Sequence, residues 1–191
     1  MRPVLLVFLI VFLVSCIVGP MLDQIHVITG ALSYAHPWLF DQAWWVGPQF
    51  GLAFASIAVS TLLIQLRFGT PAPELESTST IAVQFVWFIA AYLTTGILHT
   101  KPVLVLALLA GALVIRTLIE RPDVATIRIF VALALLGTAY EAIVSALPET
   151  FSYAQGGIFT APIWLPLLYA HGAPLVRSFM KNSVGLVRRS A

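Results

Sequence analysis

Six apolar segments, each near the length that crosses a membrane, follow one another along the chain. Spanning the ~30 Å hydrocarbon core takes about 20 apolar residues, with a range of roughly 17–25. The segments are Val4–Leu22, Ala43–Leu66, Ile81–Leu98, Val103–Ile119, Thr126–Leu147 and Ile158–Val176. No stretch between them is long enough for a soluble domain. The pattern predicts an all-α polytopic membrane protein, in which residues 1–191 form a single six-helix transmembrane domain.

The composition supports a membrane protein and excludes two other classes. Hydrophobic residues make up 60% of the chain and charged residues 9%, whereas a soluble domain carries about 25% charged residues. The net charge of +2 is too small to indicate a nucleic-acid partner. The single cysteine, Cys16, lies in an apolar run and permits neither a disulfide framework nor a cysteine-based metal site.

The first segment has two interpretations. Leu13-Val14-Ser15-Cys16 after an apolar core resembles a signal peptide that ends in a lipoprotein cleavage box. The apolar run, however, continues past Cys16 to Leu22. We therefore expect a retained first helix.

Basic residues predict the orientation. With six spans, nine of the ten lysines and arginines lie on the side of the two termini, and only Lys101 lies on the other. Because basic residues concentrate in cytoplasmic loops, we expect both termini in the cytoplasm and residues 23–42 outside. Eight arginines against two lysines favour a bacterial source, and hence the inner membrane, with the endoplasmic reticulum as the eukaryotic alternative.

The opening of the second segment, Phe40–Gly51, is unusual for a membrane helix. Trp44 and Trp45 are adjacent, and Pro48 and Gln49 follow within one turn. Two tryptophans alone are typical of an interfacial aromatic belt. With a proline and a glutamine just beyond them, they also fit a helix that opens toward a cavity.

Glu141 is the one acidic residue that we place inside an apolar segment. It lies six residues before Leu147, or ~9 Å below the outer end of helix five at ~1.5 Å per residue. Gln49 lies at the same depth in helix two. Ionisable groups at such depth are costly and are functional candidates. The alternative is a protonated packing residue, or one that reaches outer water.

We predict that helices two, five and six surround an apolar cavity, open near the outer half of the bilayer or sideways to lipid. Small and polar residues share one face of helix five, and prolines at 48, 162 and 166 should bend helices two and six. A protonated Glu141 would donate a hydrogen bond to a lipid hydroxyl or ester. The expected lining residues are Trp45, Gln49, Gly137, Thr138, Glu141, Ser145 and Trp164.

Catalysis finds little support in the sequence. HExxH and GxSxG motifs are absent, histidines are not clustered, and we see no second buried carboxylate to pair with Glu141. We expect neither an enzyme, a cofactor nor a metal. The alternative function is a small transporter or proton-coupled carrier that uses Glu141 and His171, although His171 also fits plain core packing.

Four short motifs, in order along the chain, resemble those of the Insig family. The first is Ala43-Trp44-Trp45-Val46 with Pro48 and Gly51, at the start of helix two. The others are Gly96-Ile97 with His99 and Lys101, the Glu120-Arg121 pair, and Trp164-Leu165-Pro166 with Gly172. The chain is similar to that family over most of its length and resembles a bacterial-type homologue.

The resemblance implies a non-enzymatic six-helix lipid sensor that binds oxysterol-like lipid inside the bundle. Animal Insig proteins retain a sterol-sensing escort protein and promote degradation of HMG-CoA reductase. This chain has Glu120 where the family has aspartate, so those partners are not implied. We expect a sensor or scaffold for a sterol- or diglyceride-like lipid such as diacylglycerol.

Helices one and four are almost wholly apolar. We expect at least one of them to face lipid, and the remaining surfaces to support a homo-oligomer, with a trimer as one arrangement.

Overall fold

The computed structural model describes residues 2–68 and 74–189, and within these ranges the chain forms six α-helices, one 3₁₀ turn and two short strands. In chain order the elements are α1 (Arg2–Ile28), β1 (Leu32–Tyr34), α2 (Val46–Arg67), α3 (Thr78–Ile97), α4 (Pro102–Glu120), α5 (Val124–Ser145), β2 (Phe151–Tyr153), the 3₁₀ turn (Ile158–Thr160) and α6 (Leu165–Arg189). The all-helical class and the order of six helices are as predicted.

Five of the helices are long and apolar enough to cross a membrane. In the described residues α6 is the exception, since it carries Arg177, Lys181 and other polar side chains. It also packs against each of the other five helices. A helix enclosed by protein has less need of an apolar surface than one that faces lipid.

The prediction of proline bends at 48, 162 and 166 is wrong. Pro48 is the third residue of α2, Pro166 is the second residue of α6, and Pro162 precedes α6. Proline is well suited to a first turn, because the amide hydrogen it lacks would have no intrahelical acceptor there. The interior prolines are Pro20 in α1 and Pro174 in α6.

The predicted sixth segment, Ile158–Val176, is displaced along the chain. Helix α6 begins at Leu165 and continues to Arg189, while Phe159 adopts a left-handed conformation with φ 55° in the 3₁₀ turn. Pro162 and Pro166 lie around the start of this helix. Its second half is polar, so hydropathy alone does not show how far the helix extends.

Two clusters of buried apolar residues hold the ends of the bundle together. One joins Val7 and Val11 of α1 to Val184 and Val187 of α6. The start of α1 and the end of α6 therefore lie at the same end, which we call the basic end. The other cluster is built around Phe88, Leu109, Trp164 and Leu168.

A two-stranded antiparallel ribbon closes the opposite end, which we call the ribbon end. Strand β1 follows α1, and β2 follows α5. Leu32 pairs with Tyr153, and the Ser33 and Ser152 hydroxyl oxygens lie 3.1 Å apart. The ribbon is a small addition to the predicted all-α class.

Apolar side chains cover the outer faces of α1 and α4. Leu13 and Ile17 on α1 are exposed, as are Val103 and Leu118 on α4. Exposed apolar faces on membrane-length helices suit contact with lipid or with further copies of the chain.

Candidate functional site

Glu141 lies on α5, and two tyrosines reach its carboxyl group from other elements. The Tyr153 hydroxyl of β2 donates to Oε2 at 2.9 Å, and the Tyr169 hydroxyl of α6 donates to Oε1 at 2.8 Å. Both oxygens are thus hydrogen-bonded within the protein. Buried polar groups that are fully bonded in this way hold neighbouring elements in one arrangement.

A second buried carboxyl group, Asp23, lies at the same end of the bundle. Because α1 continues to Ile28, Asp23 sits inside the helix and not in a loop. The Tyr34 hydroxyl donates to its Oδ2 at 2.5 Å, and the Gln42 amide lies 3.5 Å from the same oxygen. Burial, and then the Asp23 charge, raise the pKa of the Tyr34 phenol, which keeps Tyr34 the donor. The expectation of no second buried carboxylate is wrong.

His26 and Trp164 complete this polar region, which we call the ribbon-end cluster. Its other members are Asp23, Tyr34, Tyr92, Thr95, Glu141, Tyr153 and Tyr169. His26 Nε2 lies 2.7 Å from Thr95 Oγ1, and its ring stacks on Tyr92 at 4.8 Å between centroids. Trp164 packs between His26 and Tyr153, and its Nε1 has no hydrogen-bond partner among the described residues.

The structure brings some of the sequence-predicted residues to the ribbon. Trp45 packs edge-on against Tyr34 at 5.6 Å between centroids, whereas its neighbour Trp44 is exposed. Ser145 Oγ lies 2.6 Å from Thr160 Oγ1. Trp45, Glu141 and the buried Trp164 thus each contact a residue of the ribbon, whereas Ser145 contacts the 3₁₀ turn.

Other predicted residues are not brought together. Gln49 lies in the first turn of α2, and in the described residues no hydrogen bond joins it to Glu141 and no extended contact joins α2 to α5. Gly137 lies under the Tyr169 ring, where an added Cβ would stand 2.8 Å from ring carbons. The Thr138 hydroxyl is buried without a partner.

Glu141 and His171, the pair required by the transporter alternative, face different neighbours. Tyr169 of α6 reaches Glu141 on α5, whereas His171 Nε2 lies 3.0 Å from the Leu109 carbonyl oxygen on α4. Residues two apart project from opposite sides of a helix. In the described part of the chain, no hydrogen-bonded path connects them.

A groove of about 570 Å³ lies at the basic end. Both α3 and α5 pack on α6, but they share no extended contact with each other in the described residues, and the groove lies between them. Its lining includes Val83, Gln84, Glu120, Thr126, Pro174 and Arg177, and none of the seven residues predicted from the sequence. We call it the inner groove.

Ion pairs frame the mouth of the inner groove. Arg177 lies 2.5 Å from the Asp123 carboxylate, and Lys181 lies 2.6 Å from that of Glu76. Asp123 caps α5 by accepting from the Thr126 backbone N–H at 2.8 Å. That bond, with help from Arg177, lowers the pKa of Asp123 to about 2.

Arg116, on the α4 side of the groove, is almost completely buried, with 1% of its surface exposed. Its Nε donates to Glu120 at 2.9 Å, and its Nη1 donates to the His171 carbonyl at 2.8 Å. The guanidinium lies 5.8 Å from the centroid of the Trp87 ring. The distribution of basic residues identifies Arg116 only as one of nine on the same side, whereas its spacing of four residues from Glu120 on a helix indicates an ion pair.

Within residues 2–68 and 74–189 no three histidine, cysteine or acidic side chains come together as potential metal ligands.

In both sequence and fold, the chain is similar to Insig homologues. No family model matches the chain. It is 29% identical over 170 residues to the INSIG protein homolog of Mycolicibacterium vanbaalenii, covering 85% of this chain and 80% of the relative. Two crystal structures at 1.9 Å resolution, of the mycobacterial Insig homolog MvINS from Mycobacterium vanbaalenii and of a cross-linked MvINS trimer, superpose with a TM-score of 0.74. Each is 26% identical to this chain, covers 96% of it and is itself 95% covered. The resemblance that the motifs of helices two and six indicated is thus confirmed, since the chain is similar to these Insig homologues in both sequence and fold.

Proposed function

We propose that this protein is a non-enzymatic lipid-binding sensor or scaffold that holds a neutral lipid, of the diglyceride or sterol kind, in the inner groove. The observation that carries the proposal is the open slot between α3 and α5 above α6. Its volume of about 570 Å³ falls within the roughly 300–1,000 Å³ typical of ligand pockets. The Insig homology supports the same function.

The chemistry of the groove fits an amphipathic ligand. Val83 and Pro174 offer apolar contact within it, while charged and polar side chains stand at its mouth. Apolar burial contributes about 0.8 kcal/mol per methylene, so acyl chains or a ring system supply most of the affinity. The charged and polar side chains at the mouth then bind the small polar headgroup of the lipid.

The seven residues predicted from the sequence remain proposed contacts for the part of the lipid that extends toward the ribbon end. The buried, unpartnered hydroxyl of Thr138 supports this, because α5 also borders the inner groove. Gly137 does not offer open space, since the Tyr169 ring fills the volume next to it.

We further propose six membrane crossings, with the basic end in the cytoplasm of a bacterial cell. Nine of ten basic residues fall on that side, and α1 begins where α6 ends. Helix α6 can cross despite its charges, because charged residues within a membrane are tolerated when they face protein and find partners. Arg177 and Lys181 both have such partners.

Assembly into a homo-oligomer, such as a trimer, is part of the same proposal. The cross-linked MvINS trimer is one support. The exposed apolar faces of α1 and α4 are another. Native mass spectrometry in mild detergents that gave only monomer would contradict it.

The experiment compares two variants on one helix. Val83 lines the inner groove, whereas Val86, one turn on and also exposed, is absent from its lining. We expect Val83→Trp to lose the lipid that co-purifies with the wild type, as counted by mass spectrometry, and Val86→Trp to keep it. Equal lipid content in both variants, with normal folding, would contradict the proposed site.

A further inference from the structure

We propose that residues 38–44 insert their exposed aromatic side chains into the lipid leaflet that borders the ribbon end. This segment, which we call the aromatic hairpin, lies between strand β1 and helix α2. The contact is separate from any lipid held inside the bundle, because its partner is the bilayer that surrounds the protein.

A tight turn holds the aromatic hairpin in one shape. The Gln42 backbone N–H donates to the Leu39 carbonyl at 3.1 Å, and the Trp38 backbone N–H donates to the Gln42 carbonyl at 2.8 Å. Phe40 and Asp41, the two central residues of the turn, have φ 53° and 59°. A positive φ is unfavourable for a bulky residue such as phenylalanine. The turn therefore keeps Phe40 at its tip against a local preference, which a contact outside the protein can offset.

The side chains of the aromatic hairpin are arranged in the reverse of the order expected for a loop in water. The polar Gln42 is buried, and its side-chain amide donates to the Pro20 carbonyl of α1 at 2.8 Å. Trp38 and Phe40 are each 73% exposed, and Trp44 is 68% exposed. Single exposed apolar residues are common, but several large ones together indicate a contact surface. The pattern therefore indicates an apolar medium around the hairpin.

The start of α2 places the aromatic hairpin beside α1 and not beyond its end. A Cβ added to Gly47 would stand 3.1 Å from the carbonyl oxygen of Cys16, whereas α1 continues to Ile28. At ~1.5 Å per residue, α2 thus begins ~18 Å before α1 ends. Met21 and Ile28 are exposed on these last turns of α1. Apolar side chains directed outward along this stretch indicate that lipid reaches the level of the hairpin.

The chemistry of the aromatic hairpin suits a lipid surface. Tryptophan is enriched where the bilayer meets water, because its ring is apolar and its N–H can bond to a polar group. Residues 35–45 contain neither lysine nor arginine, so the attraction does not depend on anionic headgroups. The exposed carboxyl group of Asp41 limits the depth, since a charged group is costly within the hydrocarbon core. We therefore place the aromatic rings at the level of the headgroups and the first methylenes.

The test measures the depth of a spin label by electron paramagnetic resonance, with the purified protein in phosphatidylcholine vesicles. Cys16 is the single cysteine, so Leu39→Cys in a Cys16→Ser background gives one label in the aromatic hairpin. Ser33→Cys on the ribbon is the matched control, because it is exposed at the same end of the bundle. Collisions with oxygen, which is concentrated in lipid, are compared with collisions with a nickel chelate that stays in water. Phosphatidylcholine labelled at known carbons calibrates the depth.

We expect the oxygen-to-nickel ratio to be severalfold higher at position 39 than at position 33, with or without added phosphatidylglycerol. Replacing both Trp38 and Phe40 by serine should lower the ratio at position 39 severalfold. The ratio at position 33 should stay unchanged in that variant, which also shows that the ribbon is intact.

The other outcomes contradict the proposal in distinct ways. Equal ratios at positions 39 and 33 would show that the aromatic hairpin lies in water. A label at position 39 that neither reagent reaches would show that protein, such as a second copy of the chain, covers the hairpin. Insertion only with phosphatidylglycerol would overturn the apolar basis of the contact. A ratio unchanged by the two serines would show that Trp38 and Phe40 do not hold the hairpin in the lipid.

Discussion

Gly137 provides the sharpest test of how α5 and α6 pack. An alanine Cβ at this position would stand 2.8 Å from two carbons of the Tyr169 ring. The ring cannot simply move aside, because its hydroxyl donates to Glu141 at 2.8 Å. We therefore expect Gly137→Ala to separate the two helices or to break that hydrogen bond.

Three terms determine how much Gly137→Ala changes the free energy of unfolding. Overpacking of this kind costs about 1–3 kcal/mol. Loss of a hydrogen bond to a carboxylate adds about 1.5–3 kcal/mol if the ring swings away. Alanine has a higher helix propensity than glycine, which stabilises the variant by about 1 kcal/mol. The terms sum to a loss of about 0–2 kcal/mol if the helices separate with the hydrogen bond kept, and of about 1.5–5 kcal/mol if that bond also breaks.

Gly111 is the matched control, because it lies inside α4 with nothing within 4 Å of an added Cβ. We expect Gly111→Ala to be neutral or stabilising by up to about 1 kcal/mol. Both variants would be compared with the wild type by reversible SDS unfolding and by thermal melting in detergent. If Gly137→Ala were as stable as Gly111→Ala, the tight contact between α5 and α6 would be refuted.

Three further predictions use simpler changes. Asp123→Ala should lower the free energy of unfolding by about 1 kcal/mol, since it removes the N-cap of α5. Because the pKa of Asp123 in the folded protein is lowered to about 2, the stability that this carboxylate contributes should be complete above pH ~4. In thermal melts of the wild type, that contribution should disappear as the pH falls toward 2. Glu141→Gln should lower stability by about 1–2 kcal/mol, because one amide oxygen replaces the two carboxyl oxygens that accept hydrogen bonds. Most of the lipid counted by mass spectrometry should remain, because apolar contact in the inner groove supplies most of the affinity; a complete loss of lipid would argue against the inner groove. In a Cys16→Ser background, Ser33→Cys should react with impermeant thiol reagents from the outside and Ser79→Cys only from the cytoplasm; the reverse pattern would contradict the proposed orientation.

Hydropathy located the helices well, and its errors have physical causes. It ended the first segment at Leu22 because Asp23 interrupts the apolar run. The helix nevertheless continues to Ile28, since Tyr34 and Gln42 fold back onto that carboxyl group. Hydropathy also missed the second half of α6, where polar side chains face neighbouring elements.

The candidate site was harder to predict than the helices. Glu141 could be identified from its position alone, but its partners Tyr153 and Tyr169 are supplied by the ribbon and by α6. The inner groove depends on α3 and α5 standing apart on α6, a tertiary arrangement with no local sequence signal. Pro48 and Pro166 were predicted to bend their helices because the sequence does not fix the first residue of a helix. A proline in the first turn starts a helix, whereas a proline further along kinks it.

The two buried carboxyl groups at the ribbon end bear on how the chain enters the membrane during synthesis. Asp23 is bonded by Tyr34, which follows 11 residues later, and Glu141 by Tyr153, which follows 12 residues later. Each acidic group thus receives a partner from the segment that leaves the ribosome just after it. The first and last parts of the chain can then insert separately, with one hydrogen-bond partner close in sequence to each costly carboxyl group. The pairing of Leu32 with Tyr153 then joins the segment that follows α1 to the segment that follows α5.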